Sequence, residues 1–272
     1  LATLAEPDVG VIVNVGPVHL EQLGTLEAIA AAKAELIAAL PPGGTAVVPA
    51  GEALLDAHLR EDVVTVRFGE GGDVRLVGEG PRQVTVEAGD QRIDLEVAFA
   101  QAHLRRNLLA AVAAARAIGV TPSGRVEPGF SALRGERIAL PANGVLINDC
   151  YNANPMSMRV ALDDLAATAA RRRVAVLGDM LELGPGEPQF HADVGRAAAE
   201  RGVDVLIAVG PRSVAMADAF SGESHVVADA GEAAALAADL LAPGDAVLVK
   251  ASRGVGLEVV AQTLADSAKA AR

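Results

Sequence analysis

Val145-Leu146-Ile147-Asn148-Asp149-Cys150-Tyr151-Asn152-Ala153-Asn154-Pro155 passes in one step from a short apolar run to a dense polar turn. The apolar part reads as a buried strand. Asn, Asp and Pro directly after it favour a turn and can cap a following helix. The same change recurs downstream. Strands are expected at residues 145–147, 174–177, 205–209, 225–227 and 246–249, with helical patterns between them and a last helix over 257–269. Strand–helix units repeated in this way predict a doubly wound parallel sheet. Such sheets gather their ligands beyond the carboxyl ends of the strands.

Upstream of about residue 135 the pattern is different. A strand at 9–15, a helix at 25–40, a strand at 45–48 and a helix at 52–60 read as parallel strand–helix units. Thr25 suits the N-cap of the first helix, and Pro41-Pro42-Gly43-Gly44 ends it. Between 63 and 97, Val64-Thr65-Val66, Val74-Arg75-Leu76, Val84-Thr85-Val86 and Ile93-Asp94-Leu95 alternate between Gly-rich turns. These four runs predict a small antiparallel sheet. An Ala-rich helix over 103–118 stops at Gly119, and 121–134 is a connection with room for one more helix. The chain is therefore expected to hold two α/β domains, 1–135 and 136–272.

The bulk numbers agree with a globular chain. There are 272 residues, 51% hydrophobic and 21% charged, with mean hydropathy +0.33. No apolar run approaches the roughly 20 residues of a membrane span, and no basic segment followed by an apolar one marks a secretory signal. A net charge of −12 disfavours a duplex nucleic-acid binder, while leaving room for a nucleotide held by a local cluster of donors. One cysteine, Cys150, forms no internal disulfide, which fits a reducing cytoplasm. Leu1 is not a start methionine, so the chain is expected to begin inside a longer protein.

Five segments carry groups with chemistry in them. Asn14-Val15-Gly16-Pro17-Val18-His19-Leu20-Glu21 follows a strand and sets a His beside a carboxylate, a pair that holds a metal, moves a proton or decorates a surface loop. Lys33, in Ala31-Ala32-Lys33-Ala34-Glu35, reads by itself as a solvated helix position. His103 and Asn107 are four apart at the start of the Ala-rich helix and share a face. The Asn amide matches an adenine edge, and helix capping is the plainer alternative. In Asn148-Asp149-Cys150-Tyr151-Asn152-Ala153-Asn154-Pro155, capping alone accounts for Asn154, and Asp149 stands where nucleotide folds bind a ribose hydroxyl. Lys250-Ala251-Ser252-Arg253-Gly254 offers two cations and a hydroxyl at a strand-to-helix turn, suited to a carboxylate or phosphate. Leu177-Gly178-Asp179-Met180-Leu181-Glu182-Leu183-Gly184, with His191, forms a similar strand-end cluster with a weaker chemical signal.

Taken in order, these segments resemble the Mur ligase family. Asn14 to Glu21 and then Ala32-Lys33-Ala34-Glu35 resemble the family's His and Lys segments. Residues 148–157, 177–184 and 249–254 resemble its D-alanyl-D-alanine-adding branch. The resemblance implies a central ATPase domain, a parallel sheet with a small antiparallel one, followed by a Rossmann-like C-terminal domain. It implies ATP-dependent joining of D-alanyl-D-alanine to UDP-N-acetylmuramoyl-tripeptide through an acyl phosphate, with ATP and magnesium as cofactors. His19 would be a magnesium ligand, and Lys33 a second one once carbamylated; these two would be the catalytic residues. His103 and Asn107 would hold adenine, and Arg137 and Asp149 would meet the nucleotide. Asn152, Asn154, Lys250, Ser252 and Arg253 would face the substrates. No partner beyond small molecules, no nucleic acid and no membrane insertion are implied. The sequence departs from the family pattern where Ala102 precedes His103, where Leu104 replaces an Asn and where Cys150 replaces a common Ser. It holds no G-x-x-x-x-G-K-[ST] phosphate loop, so these residues by themselves are expected to be inactive. Two rival readings stay open: a ligase of the folylpolyglutamate or cyanophycin type, and a nucleotide-binding module that has lost the reaction.

Overall fold

A computed structural model describes residues 2–18, 20–127, 129 and 133–270. They fall into two compact units, Leu1–Gly16 with Leu23–Gly129, and Pro17–Gln22 with Phe130–Arg272. In chain order the elements begin α1 (Ala2–Ala5), β1 (Val9–Val11), α2 (Leu20–Leu23), α3 (Leu26–Ala38), β2 (Thr45–Pro49) and α4 (Ala53–Asp56). They continue β3 (Val64–Phe68), β4 (Val74–Glu79), β5 (Gln83–Ala88), β6 (Gln91–Val97), α5 (Ala102–Ala117) and β7 (Gly124–Val126).

Strands β1 to β7 form one sheet in sequence order. The side-chain period of two divides β2 between two cores. Ala46 and Val48 pack with Ala30, Ala34 and Ile37 of α3, while Val47 packs with Phe68 and with Leu109, Val112 and Ala113 of α5. Thr25 caps α3 as the sequence predicts, its Oγ1 accepting from the Ala28 N–H at 3.1 Å. Two expectations need correction. Val64-Thr65-Val66 lies in β3, which pairs parallel with β2 from Thr45↔Val64 to Pro49↔Phe68 and so belongs to the strand–helix part. Only β4, β5 and β6 run antiparallel, and they continue the same sheet. Alternation reports which face is covered, and it is silent on strand direction. The segment 121–134 holds β7, parallel to β6, in place of the helix allowed for it; Pro128 and residues 130–132 lie outside the described residues.

The second unit contains β8 (Glu136–Ala139), β9 (Val145–Asn148), α6 (Pro155–Ala167), β10 (Arg172–Gly178), α7 (Glu187–Glu200) and β11 (Val205–Val209). After these come α8 (Val214–Ala219), β12 (Glu223–Val227), α9 (Ala230–Leu240), β13 (Asp245–Lys250) and α10 (Glu258–Ala270). The sheet order is β12-β11-β10-β13-β9-β8, and every pair except β8–β9 is parallel. From β9 the chain steps outward through β10, β11 and β12, then turns back to insert β13 between β10 and β9. Right-handed crossovers then require the helices to change face at the reversal. They do: Met158, Leu162, Val194 and Met216 of α6, α7 and α8 share one core, while Ala233 and Ala237 of α9 and Val260 and Leu264 of α10 share the other. This is the doubly wound sheet the sequence predicts. Its switch point lies at β9, β13 and β10, whose carboxyl ends run side by side, with Asn148 opposite Val249 and Leu177 opposite Lys250. Among the described residues no helix is long and apolar enough to cross a membrane.

Candidate functional site

Loops leaving β9, β10 and β13 bound a cleft of about 390 Å³ lined by Tyr151, Asn152, Asn154, Leu181, Ser252 and Arg253, among others. Each loop is held by polar contacts that the apolar strands cannot supply. Lys250, the last residue of β13, is only 2% exposed. Its ammonium donates to Asp149 Oδ2 at 2.6 Å and to the Asn152 carbonyl at 2.9 Å, so the β13 end ties down the β9 loop. Ser252 is 4% exposed and accepts from the Leu181 N–H at 3.0 Å while its hydroxyl donates to the Ala153 carbonyl at 3.3 Å. It therefore links the β9 and β10 loops. Between these two buried side chains Ala251 packs inward, and the next residue, Arg253, is exposed.

The β9 loop ends on a capping box. Asn154 Oδ1 accepts from the Ser157 N–H at 2.8 Å, and Ser157 Oγ accepts from the Asn154 N–H at 3.0 Å. The capping reading of Asn154 is thus realised at the same time as the residue lines the cleft. Asn152 Oδ1 accepts from the Ala153 N–H at 2.8 Å. Two guanidinium groups lie against the Tyr151 ring, Arg134 3.8 Å and Arg253 5.4 Å from its centroid. The β10 loop is pinned from behind. Asp179, 4% exposed, accepts from both the N–H and the hydroxyl of Ser213 at 2.8 Å. His191 is fully buried; its Nε2 accepts from the Met180 N–H at 3.0 Å and its Nδ1 faces the Glu187 carbonyl at 2.8 Å. A carbonyl only accepts, so the proton sits on Nδ1 and the ring is a fixed spacer between α7 and the loop. In the buried cluster shared with α9 and α10, burial pushes the Cys150 thiol up to about 12, helped by the negative charges of Glu258 and Asp149.

Sequence comparisons give this arrangement a family. The Mur ligase middle domain matches residues 1–115, and the Mur ligase glutamate ligase domain matches residues 133–253. The chain belongs to the Mur ligase family. It is similar to a Synechocystis protein named UDP-N-acetylmuramoyl-tripeptide--D-alanyl-D-alanine ligase, 37% identical over 98% of this chain and 60% of that one. Among solved structures it is similar to MurF from Acinetobacter baumannii, with TM-score 0.85, 29% identity, and coverage of 97% of this chain and 61% of that one. A MurF ligase from Thermotoga maritima in complex with ADP gives TM-score 0.85 and 25% identity, covering 100% of this chain and 64% of the other. This Mur ligase chain spans about 60% of the length of the curated relatives it matches.

Other expected site residues among the described ones are held within their own units. Arg137, on β8, donates to Asp164 at 2.7 Å and to Thr168 Oγ1 at 3.2 Å, both on the α6 side of the sheet. Lys33 is half-buried on α3, and His103 and Asn107 lie on successive turns at the start of α5. Neither of the latter caps that helix: its N-cap is Gln101, without a side-chain cap bond. His19 lies outside the described residues. Among the described residues no group of three or more His, Cys, Asp and Glu is placed to hold a metal ion. Magnesium needs about six oxygen ligands, so these side chains alone do not make up its site. Sequence reasoning missed Arg134 and Ser213. An arginine beside a glycine carries no signal of a ring 17 residues away, and a serine after Pro211-Arg212 reads as an ordinary turn.

Proposed function

We propose that the protein to which this chain belongs is an ATP-dependent amide ligase of the cytoplasm that joins D-alanyl-D-alanine to UDP-N-acetylmuramoyl-tripeptide in peptidoglycan precursor synthesis. One observation carries the reading. The loops bounding the cleft belong to a chain 37% identical, over 98% of its length, to a relative of that name. In the reaction a terminal carboxylate oxygen of the tripeptide attacks the γ-phosphorus of ATP, and ADP leaves. The dipeptide's amine then attacks the acyl carbon. Phosphate leaves, the amine nitrogen loses a proton and an amide remains. Both the carboxylate and the phosphates are anionic, so the first step needs cationic groups fixed in advance.

Arg253 supplies an exposed guanidinium at the cleft, and its planar fork suits a carboxylate. Asn152 and Asn154 supply amide groups for the peptide, while Lys250 and Ser252 shape the walls those groups stand on. His103 and Asn107 are assigned to adenine, and Arg137 and Asp149 to the rest of the nucleotide. His19 and a carbamylated Lys33 are assigned as part of a magnesium donor set whose other members lie beyond the described side chains. Such a metal, when bound, supplies charge neutralisation at the phosphoryl oxygens.

The test is phosphate release by the full-length protein with ATP, magnesium and both substrates. Release is expected only when tripeptide and dipeptide are both present. Glutamate accepted in preference to D-alanyl-D-alanine would overturn the substrate assignment in favour of a folylpolyglutamate-type ligase. The 272 residues alone, without a phosphate loop, are expected to give no turnover. In the full-length protein Arg253→Ala is expected to raise KM for the dipeptide by about 10- to 100-fold, the range for a lost charge-assisted hydrogen bond.

A further inference from the structure

The sequence offers Lys250 as a cation for an incoming anion. Its surroundings give it a different task. The side chain is 3% exposed and lies among three oxygens of the β9 loop, Asp149 Oδ2 at 2.6 Å, the Asn152 carbonyl at 2.9 Å and the Asp149 carbonyl at 3.5 Å. An ammonium has three protons to donate. A substrate anion would therefore have to displace a partner from a buried charge, which is costly. Asp149 is the opposite case. It keeps 24% of its side chain exposed, and Lys250 bonds one of its two carboxylate oxygens. Among the described residues no donor bonds the second oxygen, which is open to a donor from outside the protein. The carbonyl of Asn152 is fixed by the same ammonium, so one lysine sets both the nucleotide-facing carboxylate and the backbone of the peptide-facing turn.

We propose that Lys250 is a positioning residue that contacts neither substrate. It orients Asp149 toward a hydroxyl donor, the diol of the nucleotide's ribose, by holding the carboxylate and the Asn152 carbonyl from behind. The proposal rests on the reading of Asp149 as a nucleotide contact. A buried lysine and a half-exposed carboxylate also differ in what their loss leaves behind. Lys250→Met leaves an aspartate that water can reach, whereas Asp149→Asn leaves a buried ammonium with only neutral acceptors.

The experiment is a double-mutant cycle in the full-length protein, with ADP affinity measured by titration calorimetry and stability by thermal melting. The variants are Lys250→Met, Asp149→Asn and the two together. Each single variant is expected to weaken ADP by about tenfold, within the range for side chains that share one network, and the double variant to be no weaker than Asp149→Asn alone. Asp149→Asn is expected to lower the melting temperature more than Lys250→Met. If Lys250→Met leaves ADP affinity intact while Asp149→Asn weakens it, the positioning role is wrong and the nucleotide reading stands. If the two losses multiply in the double variant, Lys250 acts independently of Asp149 and the proposal is again overturned. If Asp149→Asn leaves affinity unchanged, the nucleotide reading itself fails and takes the proposal with it. Should Lys250→Met unfold at assay temperature, Lys250→Gln carries the same cycle, because its amide retains a donor and loses the charge.

Discussion

Cys150 lies 1% exposed in the loop after β9, its thiol donating to Asn148 Oδ1 at 2.6 Å. Burial is the main cause that lifts its pKa from 9.0 to about 12, and the nearby carboxylates add to it. At a given pH it therefore carries about a thousandfold less thiolate than an ordinary cysteine. Iodoacetamide at pH 8 is expected to leave the native thiol unmodified and to alkylate it after unfolding in urea; rapid native alkylation would refute this burial. The raised pKa also has a stability consequence. The folded state holds the thiol proton more tightly than the unfolded chain, so this contribution is fully present below about pH 9 and is lost as pH rises toward about 12. Urea midpoints measured from pH 8 to 11 are expected to fall across that window, and a Cys150→Ala variant to show less of the fall. At this scale the sequence was informative about where groups gather. It was uninformative about what they bind. Asp149 and Lys250 both stand at strand ends, where ligands are expected, but no spacing rule reveals that side chains 101 positions apart bond each other first. Asn154 was legible as a cap because its partner, Ser157, is three residues away.

At the scale of elements, α7 and α8 pack closely where Gly195 faces Met216. A Cβ built on Gly195 of α7 would lie 2.1 Å from the Met216 carbonyl oxygen on α8. In an isolated helix Gly→Ala gains about 1 kcal/mol. Here the methyl has no space and the atom it meets is backbone, so Gly195→Ala is expected to destabilise by about 1–3 kcal/mol, the usual cost of overpacking. A lowered urea midpoint confirms it; a raised one means the helices separate freely. The cap of α6 gives a second, independent test, with Asn154→Ala expected to cost about 1 kcal/mol in the same measurement. Elements with long apolar runs were readable, since β10, β11 and β13 are buried along most of their length and must be apolar on both faces. Short strands were not. Glu136-Arg137-Ile138-Ala139 and Gly124-Arg125-Val126 lie at sheet edges, with polar side chains exposed, and look like loop. Alternation also hides strand direction, so Val64-Thr65-Val66 of β3 reads like its antiparallel neighbours although it pairs parallel with β2.

For the molecule as a whole, the second unit carries the features of a self-sufficient domain. Its sheet is covered on both faces, by α6, α7 and α8 on one side and α9 and α10 on the other, and each face has its own buried cluster. A chain of this size buries about two-thirds of its unfolded surface, enough for a cooperative core. The contacts that shape the cleft are likewise internal to it: Lys250 with Asp149 and Asn152, Ser252 with Leu181 and Ala153, Asp179 with Ser213. A fragment of residues 133–272, which leaves out the Pro17–Gln22 piece of the unit but keeps both buried clusters, is expected to fold alone. It should melt in a single cooperative transition, with heat absorbed in calorimetry matching the transition followed by circular dichroism. It should also keep Cys150 shielded from alkylation, because the thiol's surroundings come from β9, β13 and α10. A broad, non-cooperative melt with binding of a hydrophobic dye would mean that the sheet needs chain from outside this unit to close its core. A sharp melt with an exposed thiol would locate the dependence more narrowly, in the loop after β9.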